Sequence, residues 1–248
     1  MLTMHERLDA LAHTYYLAPG IPDHRIENRM QIDSAARVLG HIPRPARVLE
    51  LGYGDGLITR ALQAAGLEAE LLEGSAVLCG QARERHPDLP VRHALFETFT
   101  PPHAYDAVLA LHVLEHVDDP PETLSRIARW LRPGGVAIIV VPNRASIHRR
   151  VALRMGLIAA LDELSPRDHL VGHQRVYDFA TLESDVIGAG LAIQTRFGSF
   201  LKTLPNSMML DYPDPLLTAI DALSNELPAE ILANIGLVVT RPTAVLPS

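Results

Sequence analysis

The sequence predicts an α/β fold, an open and mainly parallel sheet with helices on both faces. Three observations carry that expectation. Short apolar runs alternate with helix-length segments between residues 47 and 141, which is the rhythm of βαβ units. The runs are apolar at successive positions, as strands buried on both faces are. A glycine cluster, Gly52, Gly54 and Gly56, follows the first run, at the crossover where open α/β sheets bind ligands.

In chain order, residues 1–41 read as two helical pieces separated by the turn-forming Ala18–His24. In the second piece Ile26, Met30, Ala36, Val38 and Leu39 fall at helical spacing, with charges in the gaps. Pro43 and Pro45 end that helix and launch a strand. Arg47–Leu51 is the first strand, and Leu57–Ala65 an amphipathic helix that Gly66 stops. Strands are expected at Ala69–Leu72, Val91–Ala94 and Asp106–Leu111, with a helix over Ser75–His86. Asp119, Pro120 and Pro121 open a helix to about Leu131, because proline suits the first helical positions. Arg132–Gly135 reads as a tight turn and Val136–Val141 as the fifth strand. After Pro142 the rhythm breaks. An Arg-rich helix and a loop occupy 144–170, followed by a helix at Thr181–Gly190 and a strand at Leu191–Phe200. A helix near Leu216–Leu223 and a strand at Ile235–Arg241 complete the chain.

At 248 residues the chain suits one large α/β domain with a cap. Its single cysteine, Cys79, excludes an internal disulfide framework and a Cys-rich zinc site, and fits a reducing compartment. Glu6, Arg7 and Asp9 stand where a secretory signal needs its apolar region. Val136–Val141 is far shorter than the roughly 20 residues that cross a bilayer. The chain therefore reads as cytoplasmic and without a membrane partner. A net charge of −7 argues against nucleic acid, whose binding rests on neutralised phosphates, and favours a small-molecule acceptor.

The sharpest local signal is Glu50-Leu-Gly52-Tyr53-Gly54-Asp-Gly56. Glycines there let the chain turn tightly, let a ligand approach, and leave N–H groups exposed at a helix start. A dinucleotide fingerprint needs a third glycine at position 57, which is Leu57, so a nicotinamide dehydrogenase is disfavoured. Glu73 follows about 20 residues downstream, where a carboxylate can accept hydrogen bonds from both ribose hydroxyls of an adenosine.

These features, with Tyr105–Leu109 at strand four, His112–Val117 after it and Leu131–Gly135 before strand five, resemble the class I S-adenosylmethionine-dependent methyltransferases. The resemblance covers residues 44–142 closely and 173–240 loosely. It implies a Rossmann-like seven-stranded sheet whose last strand is antiparallel. It also implies a helical N-terminal cap (1–43), a donor-binding core (44–143), a lid or substrate segment (144–190), and C-terminal strands (191–248) with a helical insertion at 201–232. The donor would be S-adenosylmethionine. The resemblance assigns Glu50, Gly52, Tyr53, Gly54 and Gly56 to its methionine end. Glu73 and Gly74 fall to the ribose, Leu95 and Phe96 to the adenine, and Leu111 and His112 to the border of the sulfonium. Two departures stand out. Many members carry an Asp near the end of strand three that binds the adenine amino group, whereas this chain reads His93-Ala-Leu-Phe-Glu97. Tyr53 replaces the commoner Cys or Ala, which a loop acting through its backbone tolerates.

Methyl transfer asks mostly for in-line positioning. A hydroxyl acceptor adds the need for a base, so the search is for His, Asp or Glu near the sulfonium. His112, Glu115 and His116 would share a face if they form one helical turn. They are candidates for a general base, for a structural pair or for metal ligands. In some relatives an E-x-x-E-H turn with a distal polar residue holds a divalent ion; here His112 replaces the first Glu, a set better suited to zinc, iron or nickel than to magnesium. His173 is a further catalytic candidate. His169, His173 and Tyr177 form an H-x-x-x-H-x-x-x-Y stretch that would face the acceptor, together with Tyr16 and Asn143. Arg144, His148, Arg149, Arg150 and Arg154 concentrate positive charge, either as a solvated face or as a rim recruiting an anionic acceptor.

The expected activity is O-methylation of a small metabolite with a histidine base. The alternatives are N-methylation of an amine or amino sugar, metal-dependent O-methylation, and a donor-binding partner subunit without catalysis. A homodimer is compatible with the sequence.

Overall fold

A computed structural model describes residues 3–22 and 24–243; residues 1, 2 and 23 of the expected cap and 244–248 of the C-terminal segment lie outside the described residues. The strands are β1 (Arg47–Leu51), β2 (Glu68–Glu73), β3 (Val91–His93), β4 (Tyr105–Leu111), β5 (Leu131–Pro142), β6 (Ala192–Ser199) and β7 (Asn234–Thr240). They form one seven-stranded sheet in the order β3-β2-β1-β4-β5-β7-β6. The first five strands are parallel, and β7 runs antiparallel between β5 and β6.

The apolar character of the central strands follows from burial on both faces. Leu49, Val108 and Ile139 enter one core with the helices α5 (Pro120–Trp130) and α8 (Phe179–Gly188). Their neighbours Val48, Leu109 and Ile138 enter the other with α3 (Leu57–Ala64) and α4 (Ala76–Arg85). Truncating a buried leucine in either layer costs about 2–5 kcal/mol.

Two expectations need correction. The turn expected at Arg132–Gly135 is a bulge inside β5. Tyr105 pairs with Leu131, the register then slips so that Ala107 pairs with Val136, and Gly134 and Gly135 bond to Arg241 beyond β7. Arg132, paired with Asp106, draws the segment onto the sheet. The helical turn expected over His112–His116 is also absent. His112 has a φ of +57°, which an α-helix does not accept, and only Leu114–His116 form a turn before α5 begins at Pro120.

The cap consists of α1 (Met4–Leu11), running into a π-helical turn over Ala12–Tyr16, and α2 (His24–Leu39). Thr3 and Glu6 form a capping box that starts α1. Across the carboxyl end of the sheet, α1 is fixed by Asp9, which accepts the Ser75 hydroxyl at 2.6 Å and the Val77 N–H at 3.2 Å. His5 Nδ1 donates to the Gly74 carbonyl at 2.6 Å. The Arg-rich helix is α6 (Ile147–Arg154), a short α7 follows at Pro166–Leu170, and α9 (Asp214–Leu223) lies in the C-terminal insertion. No helix among the described residues is long and apolar enough to cross a membrane.

Candidate active site

At the carboxyl ends of β1, β2 and β4, beneath α1, lies a cleft of about 1340 Å³ counting its mouth. Its floor is the loop between β1 and α3. Gly52, Gly54 and Gly56 have φ of +79°, +52° and +72°, a left-handed run that side-chain-bearing residues resist. The three glycines serve different ends. A Cβ added at Gly52 would meet nothing within 4 Å, because that position opens onto the cleft. A Cβ at Gly56 would lie 2.5 Å from the Tyr53 hydroxyl oxygen. The Tyr53 ring is thus folded under its own loop and braces it from behind, while its backbone faces the cleft.

Glu50, at the end of β1, is buried and accepts the Thr59 hydroxyl at 2.7 Å. Burial pushes its carboxyl up to about 8. Glu73, at the end of β2, accepts the N–H groups of Tyr53 (2.9 Å) and Ser75 (2.6 Å). Burial raises its carboxyl, and these N–H donors work against the shift. The neighbouring Gly74 has no room for a side chain, since a Cβ there would lie 2.5 Å from Leu8 of α1.

All the residues expected at the donor line the cleft except Gly56, which lies just outside it. The cleft suits S-adenosylmethionine by its own features: the space in front of Gly52, a carboxylate at Glu73 on the ribose side, and apolar Leu95 and Phe96 beyond it. Glu97 also lines it, at the end where the usual Asp is missing. Several lining residues carry no local signal in the sequence. Met4, Leu8 and Leu11 arrive from α1, and Gln31 and Ser34 from α2, through packing between distant segments.

His112 and His116 stand on the cleft wall past β4. His112 Nδ1 donates to Glu115 Oε1 at 3.1 Å. Burial opposes the charge on both groups, but their mutual bond outweighs it, raising the imidazole and lowering the carboxyl. They form an ion pair. Burial pushes His116 down to about 4 and keeps its ring neutral, against the pull of Glu115. The His173 ring meets it edge-on, with centroids 4.7 Å apart. His173 does not reach the cleft; it sits behind His116 and donates Nδ1 to Asp168 Oδ1 at 3.0 Å.

One atom each from Glu115, His116 and His173 lie within 4.8 Å of one another. Glu115 Oε2 is buried and has no hydrogen-bond partner among the described residues. That orphan oxygen and the two imidazoles fit a divalent cation. The set differs from the one read in the sequence, because His112 is turned onto Glu115 and stands outside it.

The segment that carries His173 also holds the histidine-bearing turn. Gln174 donates its backbone N–H to Glu115 O at 2.8 Å and its amide to His116 O at 2.7 Å. The Arg175 guanidinium bridges the carbonyls of Leu114 (2.8 Å) and Val117.

Among the residues expected at the acceptor, Tyr16 lines the cleft and the others do not. Asn143 gives its amide to the carbonyls of Glu230 and Leu232. Arg144 pairs with Asp178 at 2.9 Å. Tyr177 is buried beneath them, its N–H bonded to Pro142. His169 is exposed on α7. His148 is held well below the usual histidine range by burial and by nearby Lys202 and Arg149. Arg149, only 7% exposed, bonds to Asp168 and to the carbonyls of Leu161 and Glu163. Arg144 and Arg149 thus pin segments in place, while Arg150 is exposed.

Residues 23–195 match a family described as a methyltransferase domain. The chain is 31% identical over 147 residues to a ubiquinone biosynthesis O-methyltransferase of Aromatoleum aromaticum, covering 56% of this chain and 62% of the relative. A relative of the same name from Caulobacter vibrioides is 31% identical over 157 residues, 61% of each chain. The chain thus matches less than two thirds of the length of these curated relatives. Among solved structures, an S-adenosylmethionine-dependent methyltransferase from Mesorhizobium loti superposes with a TM-score of 0.62 at 17% identity, over 84% of this chain and 98% of that one. With its sheet order and its glycine-floored cleft, the chain belongs to the methyltransferase-domain family, in the class I S-adenosylmethionine-dependent fold.

Proposed function

We propose that this protein transfers a methyl group from S-adenosylmethionine to a hydroxyl of a small molecule, with His116 as the general base. The observation that carries the reading is the placement of His116, on the wall of the donor cleft with the Glu115 carboxylate and the His173 ring against it. When bound, the donor supplies a methyl group already activated as a sulfonium. Glu73 and the glycine loop hold its ribose and methionine ends, and α1 covers it from water. His116 takes the hydroxyl proton as the acceptor oxygen bonds to the methyl carbon and the carbon–sulfur bond breaks. Glu115 then faces the new imidazolium, and the ion-paired His112 completes the wall. The shared name of the two relatives supports oxygen as the acceptor atom. The charge of −7 supports a small acceptor over nucleic acid, and the single cysteine supports a cytoplasmic setting. Residues 44–143 act as the donor-binding core, and 144–190 back the wall that carries His116.

The Glu115–His116–His173 group favours a second reading. These residues would hold a divalent ion, whose chemistry is to lower the pKa of a bound hydroxyl.

The test uses methyl-labelled donor with the full chain against phenols, catechols and amines, followed by mass spectrometry of the products, with and without chelator. Methyl ethers formed equally well in chelator are expected. Labelled amines, or activity that only added metal restores, would move the assignment to the alternatives.

A further inference from the structure

Asp168 has no assigned part in the chemistry, yet four hydrogen bonds converge on its carboxylate. Its two oxygens face different partners. Oδ2 accepts the Ser165 N–H at 2.8 Å, the Ser165 hydroxyl at 2.7 Å and the Arg149 guanidinium at 3.3 Å. Oδ1 accepts one bond, from His173 Nδ1 at 3.0 Å. Asp168 and Arg149 are both buried, so this orientation is fixed from the protein side.

We propose that Asp168 is a positioning residue: its Oδ1 holds the proton of His173 on Nδ1, so that the ring offers the lone pair of Nε2 toward Glu115 and His116. The inference rests on the reading of His116 as the group that receives the acceptor's proton. With His173 in this tautomer, a lone pair faces the charge that develops on His116. In the other tautomer an N–H dipole points at the same charge and opposes it. A carboxylate behind a histidine is a general means of fixing tautomer and ring orientation.

The asymmetry of the two oxygens makes Asp168→Asn the informative change. Three donors converge on the Oδ2 position and hold the amide oxygen there. The NH2 group is left facing His173 Nδ1, which must then accept, and the proton moves to Nε2. Volume is nearly unchanged, and Arg149, which loses the charge of its partner, keeps the carbonyls of Leu161 and Glu163. A thermal melt checks that the variant folds, and Asp168→Ala serves as a second variant that removes the acceptor without supplying a donor.

The experiment has two readouts. Imidazole nitrogen shifts of ring-labelled histidine in the full chain, recorded above the ordinary histidine titration range, report the tautomer. Steady-state kinetics with 4-nitrocatechol as the probe acceptor report its consequence. The expected result is an Nδ1-protonated His173 ring that becomes Nε2-protonated in Asp168→Asn, with kcat lower by roughly 10–100-fold. The probe's KM and the donor's affinity should stay within about twofold. In a His173→Ala background the Asp168→Asn change should lower kcat no further, because the two act as one unit. An unchanged tautomer in Asp168→Asn overturns the proposal, as does an equal loss of kcat with and without His173. If the unaltered chain leaves 4-nitrocatechol unmethylated while the tautomer still switches, the positioning role stands and the proposed acceptor chemistry fails.

Discussion

The Glu73 carboxylate accepts the backbone N–H of Tyr53 at 2.9 Å, tying the end of β2 to the glycine loop that ends β1. One side chain therefore orders the loop and presents its remaining lone pairs to the cleft. Glu73→Ala removes both functions and is expected to weaken S-adenosylmethionine by roughly 1.5–3 kcal/mol. Calorimetric titration checks this, and a folded variant with unchanged affinity would take Glu73 out of the donor site.

Gly52 and Gly56 share a left-handed backbone but should fail differently when substituted. Gly52→Ala bears about 1–3 kcal/mol of backbone strain and puts a methyl group into the cleft, so donor affinity should fall more than stability. In Gly56→Ala the new Cβ meets the Tyr53 ring, so the melting temperature should fall further. Thermal melts and titrations of the two variants separate the effects; the reverse order would mean that the loop's role has been misplaced.

Arg175 holds the histidine-bearing turn through the carbonyls of Leu114 and Val117. Without it His116 loses its fixed distance from the acceptor. Arg175→Ala should lower kcat about 10–100-fold and spare donor affinity. Arg175→Lys should not rescue, because an ammonium lacks the planar fork that spans two carbonyls. Full activity in the lysine variant would show that charge alone suffices.

Three histidines contribute to the pH dependence of stability in opposite senses. Burial holds His116 at about 4 and His148 well below the usual range. For such groups the unfolded chain takes up protons first, so their stabilisation is complete above about pH 6.5 and is lost as pH falls toward the folded values. His112, raised by its pairing with Glu115, acts oppositely. Its contribution is present below about pH 6.5 and is lost as pH rises through its folded value. Glu50, raised to about 8 by burial, also gains stability as pH falls through this range, so the check is differential. Between about pH 7 and about pH 5 His148→Gln should lose less melting temperature, or gain more, than the unaltered chain. An acid slope unaffected by His148→Gln would contradict the burial assigned to this ring.

The centre of the sheet was legible because β1, β4, β5 and β7 are largely apolar runs, a pattern written within a few neighbouring positions. Glu50, the glycines and Glu73 were legible for the same reason, since the crossover joins them locally. The cap's contribution was not, because Leu8 and Gln31 reach the cleft by packing between remote helices. The positive φ of His112 leaves no trace in a sequence without glycine there. Ser165-Pro-Arg-Asp168 did carry a readable signal, the S-x-x-D capping box, but the pairing of Asp168 with Arg149 and His173 depends on tertiary structure. The arginine run misleads for a related reason: a buried guanidinium bound to carbonyls and an exposed one look alike in a sequence.

The role of His116 is tested by the rate of a single round of methyl transfer from labelled S-adenosylmethionine to 4-nitrocatechol, measured in chelator with the unaltered chain, His116→Ala and His112→Ala. With His116 as the base, transfer resists chelator, falls roughly 10²–10⁴-fold in His116→Ala with donor affinity intact, and falls less in His112→Ala. Unimpaired transfer by His116→Ala would contradict that role.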